Sequence, residues 1–472
     1  MPYSEMDNNT LALLPLISER ARKEPKLQFT SLAHLLDEEF LRECYFGLGR
    51  DRASGIDGVS WQAYGENLNE NLANLLKRMK AKQYKPQPAK RVYIPKNEHE
   101  KRPLGLPSLE DKIVRKGISR ILEAIYEQDF LDCSYGFRPG RSCHDALQTV
   151  DQTIMKRPVR YVIEADIKGF FDNVSHEWLL KMLEVRIKDP SLLLLIRRFL
   201  KAGYIAEGRL FKTEQGTPQG GNLSPILANI FLHYVLDLWF DKRVKPQAAG
   251  SVYLVRYADD FLIMTQRQSD SQMIEQVLKD RFDKFGLTLH PEKTRTISFS
   301  RKEPENAKQQ GRKPYTFDFL GFTHYWCRSR EGWFMLSRRT SGKRFRRACR
   351  AMNEWLRSVR NWYKTKQWWL ILASKLRGHY QYYGISGNSR MLKVFYYQVM
   401  RMVHKWLNRR SQRNRWNWER FTEYLKHYSL PLPHISPSLM QSRHIALIPF
   451  VRQFYSCDEI QRLFYDPASA RR

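Results

Sequence analysis

Two apolar runs flank a short break at Tyr257-Ala258-Asp259-Asp260: Ser251-Val252-Tyr253-Leu254-Val255-Arg256 before it and Phe261-Leu262-Ile263-Met264 after it. Such runs on both sides of a tight break read as paired, mostly buried strands of a hairpin. Another strand is expected over 161–167, where alternation puts Tyr161, Ile163, Ala165 and Ile167 on one face and Glu164 and Asp166 on the other. Lys90 to Lys96, then Asn97 to Arg102 and on into Pro103-Leu104-Gly105, predicts a second hairpin with projecting basic side chains.

Helical spacing begins near Asp111. Ile113, Val114, Ile118, Ile121, Leu122 and Ile125 share one face, with Arg115, Lys116 and Arg120 elsewhere on the wheel. A tight loop over 216–225 opens another helix, with Ser224 as cap and Pro225 as first helical residue. Leu227, Ile230, Phe231, Val235 and Leu238 then form its buried face. Residues 301–314 read as an exposed polar loop, and Phe317 to Phe322 as strand. From Lys343 a long amphipathic helix is expected, apolar at Phe345, Cys349, Met352, Leu356 and Val359, basic at Arg346, Arg347, Arg350, Arg357 and Arg360. The first 45 or so residues read as helical, the stretch to about 426 as further basic helices, and 427–472 receives no fold.

The 472 residues suffice for two to four domains. Charge changes the picture more. Of the formal net +31, most falls late: residues 301–472 carry 35 basic against 10 acidic side chains, while residues 1–300 carry 45 against 39. A basic C-terminal third interleaved with Trp, Tyr and Phe suits neutralisation of phosphates along a nucleic acid. No apolar run approaches the ~18 residues of a membrane span, and the N-terminus lacks the basic start and apolar core of a signal peptide. A cytoplasmic location, with no membrane partner, is therefore expected. The six cysteines show no Cys-x-x-Cys pair and read as reduced thiols, and His and Cys show no zinc-type spacing.

Candidate chemistry centres on the carboxylates. Asp259 and Asp260 side by side at a break would repel unless something positive lay between them. A divalent metal is the natural candidate, and Asp166 supplies a third carboxylate. Three such groups could hold a pair of Mg2+ ions, which in two-metal sites lie ~3.5–4 Å apart and serve nucleotidyl transfer. An isolated Asp-Asp pair is more often a solvated turn; the apolar strand on both flanks sets this one apart.

Other blocks agree in order and spacing: Gly55-Ile56-Asp57-Gly58; Ile94-Pro95-Lys96 with Arg102-Pro103-Leu104-Gly105; Ser134 to Arg141; Asp166 to Asp172; Thr217-Pro218-Gln219-Gly220-Gly221; Arg256 to Asp260; Pro291-Glu292-Lys293-Thr294; Phe319-Leu320-Gly321-Phe322. Together they resemble a group II intron-encoded reverse transcriptase (maturase), or a close bacterial group II-like relative, over roughly residues 45–425. The resemblance implies an α+β right-hand polymerase fold: fingers and a palm with an antiparallel sheet, then an α-helical thumb, the maturase or X domain. It implies an N-terminal helical extension over 1–45, fingers over 46–160, palm over 161–325, thumb over 326–426 and a short basic segment over 427–472, a possible DNA-binding remnant.

The implied activity is RNA-directed DNA synthesis, with intron RNA bound to assist splicing and retrohoming. The implied partners are intron or template RNA, the RNA/DNA template-primer duplex, target DNA and deoxynucleotides. Residue by residue, Asp166, Asp259 and Asp260 would hold two Mg2+ ions, with the Ile167 carbonyl a further ligand and Mn2+ able to substitute. Lys96 and Arg102 would hold the incoming triphosphate, where positioning and charge do most of the catalysis; alone, they could be a solvated basic hairpin. Phe171 would lie under the sugar and exclude a 2′-OH, although outside that context an aromatic there is usually plain core. Gln219 would contact the nucleotide or template, with Gly220 and Gly221 admitting close approach. Lys293 would act as general acid toward pyrophosphate.

Arg256 and Tyr257 would support the primer terminus, and Arg138 and Arg141 would meet nucleic acid. Arg346, Arg350 and Arg357 would lie along the duplex, though a basic amphipathic helix suits any acidic partner. The ten acidic residues beyond 300 form no compact cluster suited to an RNase H site, and no zinc endonuclease signature is present. Two alternatives stand beside this reading: a domesticated relative working in phage defence or DNA repair, and an RNA-binding splicing factor with a degenerate site. The intact carboxylates argue against the last.

Overall fold

The helix expected from Asp111 runs from Leu109 to Tyr126, capped by Ser108, whose hydroxyl accepts from the Asp111 amide. Its six apolar positions, Ile113 through Ile125, are all fully buried. Arg115 is buried too, against expectation. The computed structural model describes residues 10–435, apart from 52, 96–100, 218–220, 292, 330 and 411–415. Within them the fold is mixed helix and sheet.

Strands β1 (Ala89–Pro95) and β2 (Lys101–Leu106) pair antiparallel, Ile94 opposite Arg102, as the second hairpin requires. Strand β3 (Tyr161–Asp166) follows, then the short β4 (Tyr204–Ala206) and β5 (Arg209–Phe211), which complete a four-stranded sheet in the order β2-β1-β4-β5. Strands β6 (Val252–Tyr257) and β7 (Asp260–Thr265) are the expected antiparallel hairpin, in register from Val252 opposite Thr265 to Tyr257 opposite Asp260. With β8 (Arg295–Ser298) they form a second sheet, ordered β6-β7-β3-β8. Val162, Ile163, Glu164 and Ala165 are all buried, so β3 is covered on both faces and carries no solvent side. Glu164 is accommodated by accepting from the Asp318 amide at 2.6 Å.

The chain divides into two units, one of Met1–Arg141 with Ala165–Arg295, the other of Ser142–Glu164 with Thr296–Arg472. The first holds the β6–β7 hairpin and the long helix that begins at Leu223. The second holds a three-stranded sheet of β9 (Phe317–Phe319), β10 (Phe322–Arg328) and β11 (Phe334–Thr340), ordered β11-β10-β9. The 317–322 run is thus broken by a turn at Leu320-Gly321, both at positive φ.

Helices Gly342–Val359, Thr365–Tyr383, Ser389–Asn408 and Trp418–His427 of the second unit share one apolar core that includes Leu356, Trp368, Leu372, Phe395 and Val399. The predicted face of the first of them holds: Met352, Leu356 and Val359 are buried, while Arg346, Arg350 and Arg357 are exposed.

Four expectations needed correction. Residues 303–309 are a helix rather than loop; its buried Glu303 is paired with Arg312 at 2.6 Å, which offsets the cost of burying the charge. The helix after the tight loop starts at Leu223, so Ser224 and Pro225 lie inside its first turn and Ser224 is not the cap. That helix also widens at His233–Asp237, where the Leu238 amide reaches the His233 carbonyl, and again at Phe240–Val244. Wide turns shift the register, so Leu236 and Phe240 are buried and Leu238 only half-buried. By length and composition alone Leu223–Gln247 could cross a membrane, which the sequence reading overlooked; 78% of its apolar window is buried in the fold, as befits a core helix.

Candidate active site

With Tyr257 paired to Asp260, the hairpin turn consists of two residues, Ala258 and Asp259. Two-residue hairpin turns need a positive φ at the first position, and Ala258 sits at +56°. For a residue with a Cβ, that conformation costs about 1–2 kcal/mol. Its surroundings hold it there. Arg256 donates from Nη1 to the Ala258 carbonyl at 3.1 Å. The remaining guanidinium N–H groups reach Asp237 (2.7 Å from Nε and 2.5 Å from Nη2), Ser134 Oγ (2.8 Å) and Asn229 Oδ1 (3.1 Å).

All five donors therefore have acceptors, and Arg256 and Asp237 are both wholly buried. Burial alone would lower the guanidinium pKa; the Asp237 charge and hydrogen bonds outweigh it and the value rises. Arg256 is consequently a support of the turn, not the contact to nucleic acid expected from sequence. No donor remains for an outside partner.

A second strip presses on the same turn. The Arg256 amide donates to the Cys133 carbonyl (2.7 Å) and the Tyr135 amide to the Arg256 carbonyl (2.9 Å). This brings Gly136 against the hairpin so closely that a Cβ there would lie 2.3 Å from the Ala258 nitrogen. Only glycine permits that approach. Arg138, in the same segment, is buried and bonded to Glu127 and to the Leu131 and Ser134 carbonyls, so it too is structural rather than a nucleic-acid contact. Arg141 is partly exposed and bonded to Asp132 at 2.6 Å.

Asp166 ends β3, the neighbour of β7. Its carbonyl accepts from His290 at 2.8 Å, and next to it the Lys168 amide donates to Thr288 at 2.9 Å. Ile167, buried, bridges to Leu289. These contacts bring Lys293 onto Asp166, Nζ to Oδ2 at 2.5 Å. Asp259 is half-buried and Asp260 exposed. Burial pushes the Asp259 carboxyl pKa up, as does repulsion from Asp166, while Arg102 and Lys293 pull it down. Two carboxylates and two cations from four separate segments therefore interact at this end of the hairpin.

Among the described residues no three His, Cys, Asp or Glu side chains converge closely enough to hold a metal ion. The Asp166–Asp259 pair nevertheless fits a divalent ion in its chemistry: hard oxygen donors that repel each other and already draw an ammonium group.

Phe171, in the short helix Phe170–Asn173, is buried edge-on against Phe170. Its carbonyl accepts from the Thr217 amide at 2.7 Å, and it lines a cavity of about 290 Å³ with Arg91, Gly105, Gly216 and Thr217. A Cβ on Gly221 would lie 2.8 Å from Nη1 of Arg115. Tyr257 is half-buried. Lys96, Gln219 and Gly220 lie outside the described residues. Sequence reasoning missed Asp237, Asn229 and Arg115. The signal for Asp237 was present: a carboxylate on the apolar face of an otherwise apolar helix.

The family described as reverse transcriptase (RNA-dependent DNA polymerase) matches residues 94–324. The group II intron-encoded protein LtrA of Lactococcus lactis subsp. cremoris is 39% identical over 250 residues, which are 50% of this chain and 41% of LtrA. Protein YkfC of Escherichia coli is 37% identical over 290 residues, covering 53% of this chain and 76% of YkfC. An uncharacterized 91 kDa protein in the cob intron of Schizosaccharomyces pombe is 35% identical over 233 residues, 49% of this chain and 29% of that protein.

A telomerase structure from Candida albicans aligns at a TM-score of 0.42 and 14% identity over 78% of this chain and 66% of its own, too slight a likeness to build on. The chain belongs to the group II intron-encoded reverse transcriptase/maturase family. It spans about two fifths of the length of LtrA.

Proposed function

We propose that the protein copies RNA into DNA and binds intron RNA to assist its splicing. One observation carries the polymerase reading: Asp166 and Asp259, 93 positions apart in sequence, repel each other at the hairpin tip with Arg102 and Lys293 beside them. Asp166 and Asp259 would hold divalent metal, read as Mg2+, with the Ile167 carbonyl a further ligand; the exposed Asp260, expected from the sequence as a third carboxylate, does not converge with them. When bound, the metal activates the attacking oxygen and steadies the leaving group.

The chain's own residues do the rest. Arg102, exposed on β2, and Lys96 bind the triphosphate. Lys293 offers its ammonium proton to the departing pyrophosphate. Phe171, held by Phe170 and the Thr217 amide, bears on the sugar. Gln219 and the glycines at 220 and 221 admit the nucleotide or template. Tyr257 and Arg141 support the nucleic acid near the turn. The exposed Arg346, Arg350 and Arg357 of the helix Gly342–Val359 take phosphates of the duplex, which completes the palm, fingers and thumb of a right-hand polymerase.

Asp259→Ala tests this reading. Primer extension on an RNA template should fall to background while affinity for the template-primer stays within about twofold, since the carboxylate makes transition-state rather than ground-state contacts. Extension at the wild-type rate would refute the assignment.

A further inference from the structure

Asn229 is almost wholly buried in the helix Leu223–Leu232. Its amide faces two ways. Nδ2 donates to the Gly136 carbonyl at 2.7 Å, and Oδ1 accepts from Arg256 Nη1 at 3.1 Å. That same nitrogen of Arg256 holds the Ala258 carbonyl at 3.1 Å. Gly136, for its part, lies against the Ala258 backbone with no room for a Cβ.

One side chain therefore ties the two supports of the strained turn to each other. We propose that Asn229 is a positioning residue, which sets the orientation of the Asp259 carboxylate toward divalent metal by fixing Arg256 and Gly136 together. The proposal rests on the reading of Asp166 and Asp259 as a metal site.

The chemistry is specific to a carboxamide. One donor and one acceptor are needed about a single carbon. Aspartate has the same shape but only acceptors, so it could keep Arg256 and would repel the Gly136 carbonyl. Alanine would leave a buried carbonyl and a guanidinium N–H unpaired. Ser134 and Asp237 also hold Arg256, and they keep it folded in place when Asn229 changes. The expected effect is thus a tilt of the turn rather than loss of the hairpin.

The test uses the full chain without nucleic acid and Mn2+ as probe, with free Mn2+ read by electron paramagnetic resonance. Wild type, Asn229→Ala and Asn229→Asp are compared, together with their urea midpoints and primer extension. Mn2+ affinity should fall about tenfold in both variants, the usual effect of removing a group that orients a ligand. kcat should drop with it while template-primer affinity holds. Mn2+ affinity within about twofold of wild type in the folded variants, whatever their urea midpoints, would overturn the proposal.

If Asn229→Ala loses its unfolding transition, Asn229→Asp decides alone; if both do, Asn229 is a folding residue and the proposal fails. Failure of the underlying reading would look different. The wild type itself would then show no saturable Mn2+ site and no extension.

Discussion

At the scale of single residues, burial decides what a charge is for. Arg256 and Arg138 sit in segments that read as nucleic-acid-facing, and Arg115 off the apolar face of its helix, yet each is buried. For Arg256 the reason is an acceptor for every N–H, drawn mostly from residues 19 to 122 positions away. No pattern local to Arg256 reveals those acceptors, which is why the sequence could not separate a supporting arginine from one that meets nucleic acid. The carboxylates were legible because their flanks are apolar strand, and a hairpin tip is where such flanks must turn.

Phe171 is the residue for which core and function remain chemically compatible, since a side chain can be packed on one side and present an edge on the other. Phe171→Val should raise ribonucleotide incorporation at least severalfold over wild type, measured by competing ribo- and deoxynucleotides in single-turnover extension. Unchanged sugar discrimination would make Phe171 plain core.

At the scale of elements, the helix that begins at Leu223 does more than fill space. Its wide turn over His233–Asp237 ends on the aspartate that takes Arg256. His233, nearly inaccessible, packs edge-on to Phe130. Burial lowers its pKa to about 4, partly countered by Asp237 and reinforced by Arg256 and Arg138. The unfolded chain binds a proton near the ordinary value of about 6.5. Between about 6.5 and 4 it therefore holds more protons than the folded chain, and stability falls as pH falls.

At pH 5 this one group should cost up to about 2 kcal/mol relative to pH 7. Urea midpoints at the two pH values should show the loss in wild type and a smaller one in His233→Gln. Hairpins and the helix Leu109–Tyr126 were readable from period alone. The helix over 303–309 was not, because its buried Glu303 depends on Arg312, and the wide turns were not, because a 3.6-residue period assumes an unbroken ladder.

At the scale of the whole molecule, charge is the dominant sequence signal: +31 overall, concentrated after residue 300. In the helix Gly342–Val359 the structure sorts it by face, arginines outward and apolar side chains into the shared core. Replacing Arg346, Arg350 and Arg357 with Gln should weaken duplex binding across sequences. The slope of log affinity against log salt should become shallower by roughly one for each phosphate no longer neutralised. An unaltered slope would remove that helix from the binding surface.

The left-handed backbone at Ala258 has a consequence at this scale as well. The turn is kept in an uphill shape by its neighbours, so it behaves as a cocked spring, and whatever loosens those neighbours lets it recoil with Asp259 attached. Synthesis should therefore fail under gentle heat or dilute denaturant while the surrounding fold still stands, and return when the stress is lifted.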